Sequence, residues 1–160
     1  MKYNPKKSYT VEEALTKLQK YCSYQDRCHK EVEQKLKEMR MIPQATDQII
    51  MALIQGNYLN EERFTMAFVR GKFKIKKWGK RRLTSELKQR NISSYLLNKA
   101  LKQISEVDYN TTFENLANKK AASLTGTSLI AKKKKLADYL IYRGWESHKV
   151  YDKVNQLFKL

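Results

Sequence analysis

Apolar residues recur three and four positions apart along nearly the whole chain, the spacing of helices that bury one face. Ala14, Leu15, Leu18, Tyr21 and Cys22 form the first such stripe. Thr10 and Glu13 precede it at capping-box spacing, so a helix is predicted to start there. Val32, Leu36 and Met39 predict a second helix that ends before Pro43, because the residue preceding a proline is pushed out of helical geometry. A third is predicted from Thr46 or Asp47, carrying Ile49, Ile50, Leu53 and Ile54 to a stop at Gly56.

The pattern then repeats. Asn60 is a good N-cap, and Glu61 and Glu62 stand in the first turn, where the helix dipole favours acids. Phe64, Ala67, Phe68 and Gly71 fall on one face of that helix. A short basic helix with Leu83 and Leu87 follows Trp78-Gly79, and Ser94 is expected to cap a helix bearing Leu97, Ala100, Leu101 and Ile104. A third copy reads as a helix over Leu116 to Leu124, a break at Thr125-Gly126-Thr127, and a helix over Leu129 to Tyr142. Its last helix, expected to be capped by Ser147, carries Val150, Tyr151, Val154, Leu157 and Phe158. Leu36, Leu87 and Leu140 occupy equivalent places, 51 and 53 residues apart. The turns after them, Arg40-Met41-Ile42, Arg90-Asn91-Ile92 and Arg143-Gly144-Trp145, also correspond. A period of about 50 residues with three helices per unit indicates an all-α protein of three tandem three-helix repeats. The expected boundaries are a basic, mobile tail at 1–9 and repeats at 10–57, 58–108 and 109–160.

Composition agrees: five Gly and two Pro in 160 residues leave few helix breakers. The longest apolar run, Ile49 to Ile54, is far too short to span a bilayer, and the N-terminus lacks the apolar segment of a secretory signal. Cys22 and Cys28 give no disulfide framework and, if on one helix, would sit on different faces. Free thiols in a reducing cytoplasm are therefore expected.

Charge changes the picture more. The chain carries a net +17, and segment 61–103 holds 13 Lys or Arg against 3 acids, whereas 1–60 holds 10 against 7. Between Arg70 and Arg90 stand Arg70, Lys72, Lys74, Lys76, Lys77, Lys80, Arg81, Arg82, Lys88 and Arg90, with the single acid Glu86. Phe73, Ile75 and Trp78 are threaded among them, so the stretch belongs to a folded unit. Charges this dense gain most when a polyanion neutralises them, which makes these ten the candidate binding residues. Lys132, Lys133, Lys134 and Lys135 form a second run that surrounds a helix, so only part of it can face one partner. That run is open to two readings, a solubilising surface or a phosphate contact. Trp78 also has two, stacking on a base or packing between the first two helices of its unit. Trp145, read as lying in the matching turn of the third unit, favours packing.

Catalysis has no address. Gly71-Lys72 and Gly79-Lys80 are preceded by Met66 and Lys74 where a phosphate-binding loop needs Gly, and neither a His-Glu-x-x-His nor a nucleophile elbow occurs. Cys22, Cys28 and His29 lack a second ligand pair at zinc spacing, so no metal and no cofactor are expected.

One stretch is idiosyncratic enough to compare. Tyr58-Leu59-Asn60-Glu61-Glu62-Arg63-Phe64 is followed by Phe68-Val69-Arg70-Gly71-Lys72, then Lys76-Lys77-Trp78-Gly79-Lys80-Arg81-Arg82-Leu83 and Glu86-Leu87-Lys88. It resembles the RecX family of bacterial recombination regulators. Ala14-Leu15, Leu18 and Leu36 resemble the family's first unit, and Lys134-Lys135-Leu136 through Arg143-Gly144-Trp145 its last. The resemblance implies an elongated, curved helical array. It also implies a non-enzymatic, cytoplasmic inhibitor that binds the RecA filament and suppresses its ATPase and strand exchange. Single-stranded and double-stranded DNA are the implied further partners, no membrane is implied, and a monomer is expected. The other reading of the charge is a general nucleic-acid-binding helical protein without a specific protein target. In one respect the chain departs from the family, which has Gly before the apolar residue that closes the second helix of a unit. Met41 and Asn91 read as standing there, and only Gly144 keeps it. Met tolerates the left-handed conformation poorly, so the first turn is expected to be built differently. The segment from Cys22 to Lys30 is also irregular, and no contact of relatives is carried onto it.

Overall fold

A computed structural model describes residues 7–159, and among them every regular element is helical. The α-helices are α1 (Val11–Tyr24), α2 (His29–Glu38), α3 (Pro43–Gln55), α4 (Glu61–Gly71), α5 (Lys80–Gln89), α6 (Ser94–Leu101), α7 (Glu106–Ser123), α8 (Leu129–Tyr142) and α9 (Ser147–Leu157). A π-helical turn, Lys72–Lys76, continues α4. The chain divides into two compact units, one of residues up to Ala67 with Arg90–Ile92, the other of Phe68–Gln89 with Ser93 onward.

In the first unit, α1 and α2 pack on α3. Their stripes meet in a core of Ala14, Leu18, Cys22, Val32, Leu36, Met39, Ile49, Leu53 and Leu59. Thr10 caps α1 as expected, its hydroxyl accepting from the Glu13 amide at 3.1 Å. Tyr9 packs against this core, and Lys17 donates to its hydroxyl at 3.0 Å, so the expected mobile tail does not reach it. Residues 1–6 of that tail lie outside the described residues.

Several helix ends differ from expectation. α3 begins at Pro43 rather than at Thr46 or Asp47, because a proline at the first helical position forfeits an N–H that would be unpaired anyway. α3 does stop at Gly56, its C-cap, as expected, and the left-handed residue is the next one, Asn57 (φ 60). Ser93 caps α6 in place of Ser94, and Glu146, not Ser147, is the N-cap of α9. The first helix of the third copy is not confined to Leu116–Leu124. α7 is eighteen residues long and starts at Glu106, with Ser105 as its cap. On α4 the buried positions are Phe64, Thr65 and Val69, with Ala67 and Gly71 only half buried. The Thr65 hydroxyl is satisfied by donating to the Glu61 carbonyl at 2.7 Å.

The repeat equivalence is carried by three leucines. Leu36, Leu87 and Leu140 are fully buried. The residue four places after each is left-handed: Arg40 (φ 60), Asn91 (φ 57) and Gly144 (φ 90). The first turn is therefore built like the others, and the residue that takes the strain is Arg40 rather than Met41. The first turn triplet is correspondingly Met39-Arg40-Met41. Trp145 then matches Met41 and Ile92, not Trp78, which precedes α5 instead of following it.

The second unit packs α7, α8 and α9 against one another and α5 against α6. Trp145 is its largest fully buried side chain, with Tyr109 at 4.6 Å, Phe113 at 5.2 Å and Phe73 at 6.5 Å between ring centres. Lys153, nearly buried, is paired with Glu114 of α7.

Candidate polyanion-binding surface

Two glycines set where the basic helix α5 lies. A side-chain carbon on Gly79 would stand 2.5 Å from the Gly144 carbonyl oxygen, and one on Gly144 2.2 Å from Arg82 Cβ. Bare backbone lets the start of α5 reach the end of α8. The Gly79 amide donates to the Arg143 carbonyl at 2.8 Å and the Arg81 amide to that of Gly144 at 3.0 Å. The Lys80 amide donates to the Tyr109 hydroxyl at 3.0 Å, which in turn donates to Glu146 at 2.8 Å. Unpaired amides at one helix start thus meet unpaired carbonyls at another's end, which satisfies both and aligns their dipoles favourably. Burial, reinforced by Glu146, holds the Tyr109 hydroxyl far above its usual range, so it remains a donor.

This joint divides the ten basic residues. Arg82 is taken up structurally: its guanidinium lies between the Trp78 ring (4.1 Å) and the Tyr142 ring (4.7 Å), near Glu86 at 3.7 Å. Lys72 lies over Phe68 and Trp78, and Lys80 over Tyr109 at 4.6 Å. Arg90 belongs to the first unit, where Glu31 holds it at 3.7 Å. Arg70, Lys74, Lys76, Lys77, Arg81 and Lys88 are exposed. Arg70 also reaches Gln103 at 3.4 Å, and Arg81 reaches Ser147 at 3.1 Å. Trp78 is half buried, edge-on to Phe68 of α4 at 6.2 Å, and its face is covered by the Arg82 guanidinium. Packing between the two helices is its observed role.

Two surfaces of the second unit collect the remaining charge. On α5, Lys80, Arg81, Thr84, Ser85, Lys88 and Gln89 line a shallow depression of 620 Å³ with hydroxyl and amide groups among the cations. The second surface is a groove of 640 Å³. The π-helical turn brings Ile75, Lys76 and Lys77 to it, α7 supplies Thr112, Asn115, Leu116, Lys119, Lys120 and Ser123, and α8 with the turn after it adds Tyr139 and Arg143. Lys77 is left-handed (φ 58), and its carbonyl accepts the Trp145 indole N–H at 3.1 Å, which pins the turn from the buried side.

Lys119, Lys120, Tyr139 and Arg143 were not among the candidates from sequence. The α7 positions 112, 115, 116, 119, 120 and 123 fall on one helical face, which was the available signal. The second run disperses as its helical spacing requires. Lys132 and Lys133 are half buried, Lys134 pairs with Asp138 at 2.7 Å, and Lys135 lies with Lys120, Tyr139 and Tyr142 at a neighbouring hollow. By sequence the second unit holds 21 Lys and Arg against 7 Asp and Glu, and the first 12 against 9.

The familiar motif also has a structural part in the first unit. Arg63 donates to Asp26 at 2.7 Å, to the Asn57 side chain and carbonyl, each at 3.1 Å, and to the Tyr58 carbonyl at 3.3 Å. Glu61 accepts from the His29 amide at 3.1 Å and so caps α2, whose own N-cap, Cys28, makes no side-chain bond. Cys22 lies on α1 and Cys28 just before α2, both buried and free. Among the described residues no three His, Cys, Asp or Glu are grouped as metal ligands, and no helix is long and apolar enough to cross a membrane.

Residues 60–101 match the family model of the second three-helix domain of RecX. The regulatory protein RecX of Chlorobium phaeobacteroides is 30% identical over 130 residues, which cover 81% of this chain and 83% of that protein. The chain belongs to the RecX family. Regulatory protein RecX of Lactobacillus johnsonii is 29% identical over 104 residues, covering 65% of this chain. The match spans 38% of that longer relative. The crystal structure of RecX from Lactobacillus salivarius superposes with a TM-score of 0.74 at 23% identity, covering 91% of this chain and 94% of that one. The helical RecX fold is thus shared across sequences that have diverged widely.

Proposed function

We propose that this RecX-family regulator acts on the RecA recombinase, binding the RecA–DNA filament through the basic second unit and suppressing its ATPase and strand exchange. The observation that carries this reading is the α5 face. Arg81 and Lys88 are exposed beside Thr84, Ser85 and Gln89, without an acidic or large apolar neighbour among the lining residues. Cations flanked by hydroxyl and amide donors suit phosphate oxygens, which accept from all three. The joint between α5 and α8 fixes this face on packed helices, so little ordering is needed on binding. Membership in the RecX family supports the recombinase as the partner.

The test compares fluorescence anisotropy on bare single-stranded DNA and on RecA-coated DNA at matched salt. Tighter binding to the coated strand is expected. Equal affinity for both, with a steep salt slope, would instead make the chain a general nucleic-acid-binding protein.

A further inference from the structure

The groove between the π-helical turn, α7 and α8 differs chemically from the α5 face. Five cations converge on it, Lys76, Lys77, Lys119, Lys120 and Arg143, and no carboxylate is among its lining residues. Among the described residues, none forms an ion pair with Lys76, Lys77 or Lys119. The groove is also lined by aliphatic side chains, a residue type absent from the α5 lining: Leu116 and Ile75, the latter 77% exposed. Its one aromatic ring is occupied. Arg143 lies over the Tyr139 ring at 3.6 Å and Lys120 at 4.8 Å, so the ring already carries two cation–π contacts.

A sugar–phosphate backbone has no use for an exposed isoleucine, and a base stacking on Tyr139 would compete with the two cations already over that ring. Carboxylates matched to five cations and an apolar side chain matched to Ile75 and Leu116 are properties of protein. We propose that this groove docks an acidic protein segment carrying an apolar anchor side chain, a site separate from the α5 face. The cations would steer the segment, and Ile75 with Leu116 would take the anchor. The backbone supports such a role, since the π-helical turn and left-handed Lys77 hold Ile75 outward while Trp145 fixes the Lys77 carbonyl. The inference does not depend on which protein supplies the segment, nor on the recombinase reading.

The probes are three fluorescein-labelled ligands. One is a 12-residue peptide of Asp, Glu and Ser with a central Leu-Phe pair. The others are the same peptide with Ser-Ser in place of that pair, and a 12-nucleotide oligo-dT. The folded protein should bind the Leu-Phe peptide about tenfold more tightly than the Ser-Ser peptide, the factor that burial of one or two large side chains typically gives. Ile75→Ser should erase that preference and leave oligo-dT binding unchanged. Since Ile75 is exposed, the variant keeps its fold, which circular dichroism verifies. Lys119→Glu with Lys120→Glu should weaken both peptides at least tenfold. No preference for the Leu-Phe peptide, or a preference that Ile75→Ser leaves intact, overturns the proposal. So does a charge reversal that weakens oligo-dT as much as the peptides, an outcome that makes the groove a phosphate site. Arg81→Ala with Lys88→Ala, which tests the α5 face, should leave peptide binding unchanged.

Discussion

Gly144→Ala should be among the most damaging single-methyl additions to this chain. Three costs combine. At φ 90 an L side chain is strained, which costs about 1–2 kcal/mol in the left-handed region. The new carbon would stand 2.3 Å from the Arg82 amide nitrogen and 2.8 Å from its Cα, so the backbone of α5 itself must move. Forced repacking of that kind costs about 1–3 kcal/mol. The shift would also lengthen the bonds from the Gly79 amide to Arg143 and from the Arg81 amide to Gly144, worth about 1 kcal/mol each. A total near 4 kcal/mol, with a urea slope of about 2 kcal/mol/M, lowers the unfolding midpoint by about 2 M. Urea titration followed at 222 nm measures this directly. Gly126→Ala is the control, because Gly126 is also left-handed (φ 70) but has nothing within 4 Å of the added carbon. Only the conformational cost remains there, a shift below about 1 M. Equal shifts for the two variants would refute the claim that close approach of α5 to α8 is what the glycine permits.

Other consequences are measurable in the same way. Trp145→Phe removes the indole N–H that binds the Lys77 carbonyl and should cost about 2–3 kcal/mol. Trp78→Phe at a half-buried site should cost less than about 1.5 kcal/mol; equal losses would contradict the assigned roles. Burial raises the Cys28 thiol from 9.0 to about 11. The folded state therefore holds that proton more tightly than the unfolded chain. Stability should be insensitive to this group below pH 9 and fall between pH 9 and about 11. Cys28→Ala should flatten that part of the profile, and an unchanged alkaline loss would contradict it. Both thiols should also react with a disulfide reagent at neutral pH only once the chain is unfolded, since each is buried with its ionisation suppressed.

The helices were legible because each stripe has a single period and good caps. Leu36, Leu87 and Leu140 stand out as core residues from their spacing alone, and all three are fully buried. Helix ends were less legible, for local reasons. Ser93 and Ser94 are both competent caps, and the choice rests on which hydroxyl faces an amide three residues on. The left-handed Arg40 could not be read from residue type, because the tertiary context, not the side chain, imposes its conformation. At the candidate site the charge itself was plain, but its division was not. Arg82 and Arg90 look like Arg81 in sequence, yet one lies between two rings and the other against Glu31. Lys119, Lys120 and Arg143 were missed because a groove assembled from three elements has no contiguous signature.

The central claim is that the basic second unit acts on the recombinase filament. ATP hydrolysis by RecA on single-stranded DNA, followed while this protein is titrated in, tests it most directly. The account predicts inhibition near stoichiometric amounts by the native chain, and loss of most of it with Arg81→Ala and Lys88→Ala at unchanged helical content. Undiminished hydrolysis with the native chain, or full inhibition by that variant, would contradict it.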